Sequence, residues 1–381
     1  MRYIYLDHAA TTPVAQEVLQ QMLPFFSEIA GNPSSSYCLG RAAKLALENA
    51  RAQVANAIGA EPGEIYFTSG GSESDNWAIK GIAQSGGRKH IITTAIEHHA
   101  VLNACCSMEK FGFRVTRLPV DSDGLVSPKD LEAAITEDTC LISVMAANNE
   151  IGTIQPIQEI GEIAKHYKIP FHTDAVQAIG AIPICVDEWN VDLLSLSAHK
   201  FYGPKGVGAL YVRRGIIPDN LIHGGAQERS RRGGTENVPG IVGLGYAIET
   251  VARQICARSE HISRLRDVLI AGVLRTVPGS RLNGHPEKRL AGNAHFSFPD
   301  VDRDLLLKQL ELRGILVAAG AACSSGQTEP SHVLKALGLP WRELIGAIRF
   351  TLGYETTEAE IQTVLSALPA AIRDARSIQF L

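Results

Sequence analysis

The sequence predicts an α/β protein with a mixed, mostly parallel central sheet and a smaller α+β domain towards the C-terminus. Three observations carry this. Short apolar runs alternate with helical patterns between residues 64 and 212, the spacing of βαβ units. Two runs, Leu193–Ser197 and Gly208–Val212, lie too close together for a helix between them, so they should pair hairpin-like or at an edge and make the sheet mixed. After about residue 250 the pattern changes to a strongly helical stretch, then short strands and helices in a different order.

The elements follow in order. Glu64–Thr68 reads as a strand, and Ser72–Ala83 as a helix entered through a glycine turn. His90–Ala95, Arg114–Val120, Cys140–Ala147 and Pro170–Thr173 read as further strands. Helices over 100–111, 128–135 and 156–167 separate them, and Pro156 suits a first turn. Val251–Val277 is helical, followed by strands at His295–Phe298, Ile315–Ala318 and Ala347–Leu352 and helices at Asp302–Leu312 and Thr357–Arg373. The first fifteen residues have no place in the sheet alternation. The expected division is therefore 16–250 as a large domain, and 1–15 plus 251–381 as a small one.

Composition narrows the function. The 381 residues carry 36 basic and 40 acidic side chains, a net charge of −4 with no basic footprint for nucleic acid. Arg213–Arg214 and Arg229–Arg232 read as solvated loops. MRYIYLDHAATTP meets Asp7 and His8 too early for a signal peptide, and no uniformly apolar stretch suits a membrane span. The seven cysteines are scattered without a CxxC pair, which argues against a disulfide scaffold or structural zinc and for a reducing, cytoplasmic setting.

Five features carry chemistry. Lys200 stands in SLSAHKFYGPKGVG, at the end of an apolar strand. In a partly buried pocket it would form a Schiff base; its alternative is an amine in water. Asp174, in FHTDAVQ, ends another strand, so both could enter one crevice at the carboxyl edge of a parallel sheet. A lysine and an acid there match pyridoxal phosphate, the acid protonating the pyridine nitrogen; alone, Asp174 would serve as a helix cap. TSGGSESDNWAI places Gly70, Gly71 and Ser72 at a strand–turn–helix junction suited to a phosphate. Ser197 and His199 could donate to the same group. His98, in EHHAVL, could stack on a planar cofactor and move protons, or merely cap a helix. Cys323 alone among the cysteines lies in a small-residue, serine- and glycine-rich stretch, GAACSSGQTEPSH, the setting of a reactive thiol.

Together these stretches resemble the cysteine desulfurases, pyridoxal-phosphate enzymes of the class V aminotransferase group. YLDHAATTP, NPSS, TSGGSES, ANNEIGTIQPI, FHTDAVQAIG, SLSAHKFYGPKGVGALY, HGGAQERSRRGGTEN, CSSG, EPSHVL and IRFTLGYETTEAEI carry the resemblance across nearly the whole chain. It implies fold type I of the pyridoxal-phosphate enzymes, with the catalytic cysteine loop on the small domain.

The resemblance also assigns roles. Lys200 is implied to be the Schiff-base lysine, Asp174 the pyridinium partner and Gln177 the donor to the phenolic oxygen. His98 is implied to stack and to act as acid–base, and Gly71, Ser72, Ser197 and His199 to bind phosphate. Thr235 would reach the neighbouring subunit's phosphate in a homodimer. Asn149 and Arg349 would hold the α-carboxylate of L-cysteine, since arginine binds a carboxylate bidentately. Lys200 or His98 would take the α-proton and the Cys323 thiolate would attack the substrate sulfur, giving L-alanine and a persulfide.

The persulfide would pass to an acceptor: an iron–sulfur scaffold, a tRNA-thiolation carrier or a nitrogenase-maturation protein. No resident metal is implied, although Cys323 could transiently ligate a cluster on a scaffold. A selenocysteine lyase or a small-amino-acid aminotransferase would share the fold without needing Cys323, and a non-catalytic iron–sulfur carrier would not need Lys200. The chain departs from the family's commoner residues at Gly71, at Tyr37–Cys38 and in the AAGAAC stretch before Cys323, and IRDARSIQFL ends shorter than the tail by which some members dock a scaffold.

Overall fold

The computed structural model describes residues 3–320 and 330–379; Cys323 lies outside the described residues. Twelve strands run among them: β1 (Ile4–Tyr5), β2 (Ile65–Thr68), β3 (His90–Thr94), β4 (Arg114–Leu118), β5 (Thr139–Ser143), β6 (Phe171–Asp174), β7 (Leu193–Ser197), β8 (Gly208–Val212), β9 (Arg281–Asn283), β10 (Asn293–Ser297), β11 (Ile315–Leu316) and β12 (Ala347–Thr351). Seven form the central sheet in the order β2-β8-β7-β6-β5-β3-β4. The β3–β4, β3–β5, β5–β6 and β6–β7 pairings are parallel, and β8 is antiparallel to both neighbours. The sheet is mixed, as expected, but β8 is not its edge, because β2 pairs outside it along Ile65↔Tyr211 to Thr68↔Gly208.

The inner parallel strands β3, β5, β6 and β7 are buried on both faces because helices cover both. One face packs on a core containing Phe67, Ile92, Phe171, Leu194 and Leu196, the other on one containing Trp77, Ile91, Leu141, Leu193 and Leu210. A third core, around Phe296, Phe298 and Phe350, backs the antiparallel sheet β12-β10-β9. Leu6 joins that third core, β1 pairs in parallel with β11, and Asp7 bridges to Thr351.

One helix, Val238–Thr276, runs between the cores. Its Ile241, Leu244, Ile248 and Val251 pack into the first, and its Leu265, Leu269 and Val273 into the third. It begins at Val238, well before the expected Val251, because Asn237 caps it by accepting from Gly240 N at 3.2 Å. The glycines of VPGIVGLG, poor helix formers, sit where nothing larger fits. A Cβ on Gly245 would lie 2.6 Å from Ala50 Cα of the helix Cys38–Ile58. No helix among the described residues is long and apolar enough to cross a membrane.

Candidate active site

The loops after the carboxyl ends of β2, β3, β5, β6 and β7 meet in one crevice, as parallel sheets dictate. Gly71 and Ser72 line it from the loop after β2, His98 from that after β3 and Asn149 from that after β5. Asp174 and Gln177 line it from the end of β6, Ser197, His199 and Lys200 from the end of β7, and Arg349 from β12. Thr235 is exposed in the loop before the long helix and does not line this crevice. The sequence thus indicated ten residues that the structure brings together, one that it places elsewhere, and one, Cys323, outside the described residues.

Lys200 ends a single 3-10 turn after β7. Its Nζ donates to the carbonyls of Ala9 and Ala10, at 2.6 and 2.7 Å. Gln177 Nε2 donates to the same Ala9 oxygen at 3.0 Å, and His199 Nδ1 lies 3.1 Å from Thr11 Oγ1. The segment after β1 therefore forms a wall of the site. Its contacts to Lys200 and Gln177 could not be read from the sequence, because they run through backbone carbonyls that leave no side-chain signature.

Asp174 Oδ1 accepts from Val176 N at 2.9 Å. Burial pushes its carboxyl up to about 6, against the opposing pull of the Val176 amide and the Lys200 charge. A cationic ring nitrogen would supply the counter-charge that holds this acid ionised. His98 caps the helix His99–Glu109, its Nδ1 accepting from Ala100 N at 3.1 Å. Burial and the nearby Lys200 charge lower its ring to about 4, so at neutral pH it is uncharged. With Nδ1 accepting, its proton sits on Nε2.

The helix Gly71–Gln84 opens on the crevice, where first-turn amides lack intrahelical partners. Gly70 holds φ at 149°, a conformation that favours glycine. A Cβ on Gly71 would lie 2.7 Å from Val176 Cγ2. Amides at a helix N-terminus, two hydroxyls and a neutral imidazole form a phosphate cradle. Phosphate donors, a buried acid and a lysine that line one crevice fit pyridoxal phosphate.

Arg349 is 1% exposed. It donates from Nη1 to Asn149 O at 2.8 Å and from Nη2 to Asp7 Oδ1 at 2.7 Å. Asp75, missed at the level of sequence, is fully enclosed within 4.8 Å of the donor atoms of His98 and Asp174. Its signal was a charged residue on a helix turn otherwise packed with Trp77 and Ala78. That spacing would also suit a cation, but the adjoining lysine and anion cradle suit an anionic organic cofactor better.

The described cysteines are not all packing residues. Cys105 and Cys140 are buried, with burial pushing their thiols up to about 12 and about 11. Cys38, Cys106 and Cys256 are exposed and Cys185 is half-buried.

The Aminotransferase class-V family matches residues 4–364. Cysteine desulfurase IscS of Methanosarcina thermophila is 54% identical over 377 residues, covering 98% of this chain and 93% of its own length. Cysteine desulfurase IscS of Clostridium botulinum is 52% identical over 381 residues, covering 99% and 96%. Among solved structures, a NifS-like protein superposes with a TM-score of 0.91 at 40% identity, over 100% of both chains. SspA in complex with cysteine superposes with a TM-score of 0.82 at 39% identity, over 93% of this chain and 100% of its own. With this fold and this crevice, the chain belongs to the class-V aminotransferase family and, within it, to the pyridoxal-phosphate-dependent cysteine desulfurases.

Proposed function

We propose that the protein converts L-cysteine to L-alanine and passes the sulfur, through a persulfide on Cys323, to an acceptor protein for iron–sulfur cluster assembly or another thio-cofactor. The observation that carries this reading is the meeting of Lys200, Asp174 and the N-terminus of helix Gly71–Gln84 in one crevice. Pyridoxal 5′-phosphate would supply there an electron sink for the pair left when the substrate's α-proton is removed.

The chain's own residues do the rest. Gly71, Ser72, Ser197 and His199 hold the phosphate, Asp174 the ring nitrogen and Gln177 the phenolic oxygen. Arg349 and Asn149 orient the α-carboxylate. Lys200 Nζ takes the α-proton, and the neutral His98, with its proton on Nε2, serves as the acid that can give one up and regain it. The Cys323 thiolate bonds to the substrate sulfur as the carbon–sulfur bond breaks. The bonding pair stays with carbon and is protonated to the methyl group of alanine.

The fold supports two further parts of the reading. Residues 16–250 act as a cofactor domain, and 1–15 plus 251–381 as a small domain carrying the Cys323 loop; separate cores along one helix support this division. Thr235, exposed and away from this crevice, completes the partner's site in a homodimer. The scattered cysteines favour a reducing cytoplasm, where Cys323 could also ligate a cluster in transit.

The test is the Cys323→Ser variant. It should keep the visible absorption of bound cofactor yet form neither persulfide, read by mass spectrometry, nor alanine from L-cysteine. Undiminished alanine formation would overturn the assignment.

A further inference from the structure

Asp75 sits beneath the crevice on the helix Gly71–Gln84, 1% exposed, and its Oδ1 has no hydrogen-bond partner among the described residues. Its carboxyl lies within 4.8 Å of that of Asp174, itself 5% exposed. Two carboxylates this close and this buried do not readily ionise together without a cation between them. His172 Nε2 is 3.7 Å from Asp75 Oδ1, but the ring is fully buried and is held neutral by that burial. Its two nitrogens meet the hydroxyls of Ser143 and Ser195, each at 2.9 Å.

The two acids are not equivalent. Asp174 accepts the Val176 amide and feels the charge of Lys200. Asp75 has the Ser195 hydroxyl and lies in the repulsive field of both Asp174 and Glu97. The groups facing the pair are thus Glu97 and His98 from the loop after β3, His172 on β6 and Lys200 after β7; only Lys200 is cationic, and it favours charge on Asp174.

We propose that Asp75 and Asp174 share one proton, kept on Asp75, and that Asp75 is thereby a positioning residue that leaves Asp174 as the single anion available to the cofactor's ring nitrogen. This rests on the assignment of Asp174 made above. Were the proton on Asp174 instead, the ring nitrogen would lose its charged partner and the electron sink would weaken. Burial raises Asp75 well above the ordinary carboxyl range, in keeping with this order.

Infrared spectroscopy of the apoprotein reads the proton directly and does not depend on cofactor chemistry. Glu97, pushed up to about 8 by burial, would add a second protonated carboxyl, so the measurement is made in a Glu97→Gln background. The expected result is a protonated-carboxyl band, persisting above the ordinary carboxyl range, that Asp75→Asn removes. Asp174→Asn, by deleting the neighbouring charge, should lower the pH at which that band disappears by a unit or more, a tenfold change in proton affinity. A purely structural Asp75 would show neither effect.

Absence of any band removed by Asp75→Asn, or a midpoint unmoved by Asp174→Asn, would overturn the proposal. If Asp75→Asn fails to fold, carbon-13 NMR titration of aspartate-labelled protein reads the same proton without a substitution at position 75. Failure of desulfuration with the infrared result intact would instead sink the functional reading and leave the acid pair standing.

Discussion

Arg349 Nη2 lies 2.7 Å from Asp7 Oδ1, an ion pair joining β12 to the segment after β1. The same guanidinium reaches Asn149 O from Nη1. Arg349 is therefore held at both ends before any substrate arrives, which reduces the ordering cost of binding a carboxylate. The Asp7 carboxylate also fixes the plane of the fork.

Arg349→Lys should raise KM for L-cysteine about 10- to 100-fold with a smaller change in kcat, since a point charge replaces a bidentate fork. Asp7→Asn should raise KM less, because it removes the orienting charge but not the donor. Steady-state alanine formation checks both. An unchanged KM in the two variants would remove Arg349 from substrate binding.

Gly71 makes room for Val176. An alanine Cβ at position 71 would lie 2.7 Å from Val176 Cγ2, so Gly71→Ala must displace a side chain two residues from Asp174. Overpacking of this kind costs about 1–3 kcal/mol. The expected outcome is weaker cofactor retention, measured by dialysis and absorbance, with recovery in the Gly71→Ala, Val176→Ala double variant. Failure of the second change to restore retention would show that the backbone amides, not the methyl clash, set the effect.

Several histidines shape the acid limb of stability. Burial lowers His8, His90, His98 and His199 to about 4 and His172 and His295 to about 3; it lowers His99 as well. Between those values and about 6.5 the unfolded chain binds protons that the folded chain refuses, so stability falls as pH falls through that window. Burial has the opposite effect on four carboxyls, raising Asp174 to about 6 and Glu97 to about 8, and also raising Asp75 and Asp192. Their contribution is present at low pH and is lost as pH rises through the folded values. Seven imidazoles outweigh four carboxyls below about 6.5; above it the raised carboxyls, joined at higher pH by the raised thiols of Cys105 and Cys140, lower stability as pH rises. Urea unfolding of the apoprotein should therefore show greatest stability near pH ~6.5, with His295→Gln flattening the acid limb. Stability that rises steadily towards pH ~4 would contradict this balance.

How much was legible depended on whether a residue's role leaves a local pattern. Strands such as His90–Thr94 and Leu193–Ser197 were readable because burial on both faces leaves them short runs rich in Ile and Leu and free of Asp, Glu, Lys and Arg. Lys200 and Asp174 were readable because each ends such a strand, and a parallel sheet sends those ends to one edge. Three things were not. The long helix hid its first turns in glycines required by packing against Ala50 and Met22, so tertiary contact overrode propensity. The strand β2 paired outside β8, a long-range choice that no local spacing records. Asp75 offered only a charged residue on a helix turn packed with Trp77 and Ala78, and its meaning comes from Asp174, which lies on another element.

The last prediction concerns Arg51 and Glu228. Arg51 Nη1 and Nη2 meet Glu228 Oε2 and Oε1, each at 2.8 Å, and both side chains are 3% exposed. Glu228 also accepts from Phe67 N at 2.9 Å on β2. Glu228, Arg229 and Ser230 all hold positive φ, a conformation that costs non-glycine residues about 1–3 kcal/mol each and persists only when surroundings enforce it. The bidentate pair is that enforcement, and it holds the stretch leading to Thr235. Glu228→Ala leaves a buried guanidinium uncompensated and should cost about 3–5 kcal/mol in urea unfolding. Replacing both residues, Arg51→Met with Glu228→Leu, should cost less than Glu228→Ala alone, because no charge is then stranded. The double variant should still lose activity if Thr235 serves the neighbouring subunit, since the strained turn is no longer held. Full activity in a stable double variant would separate this loop from the active site.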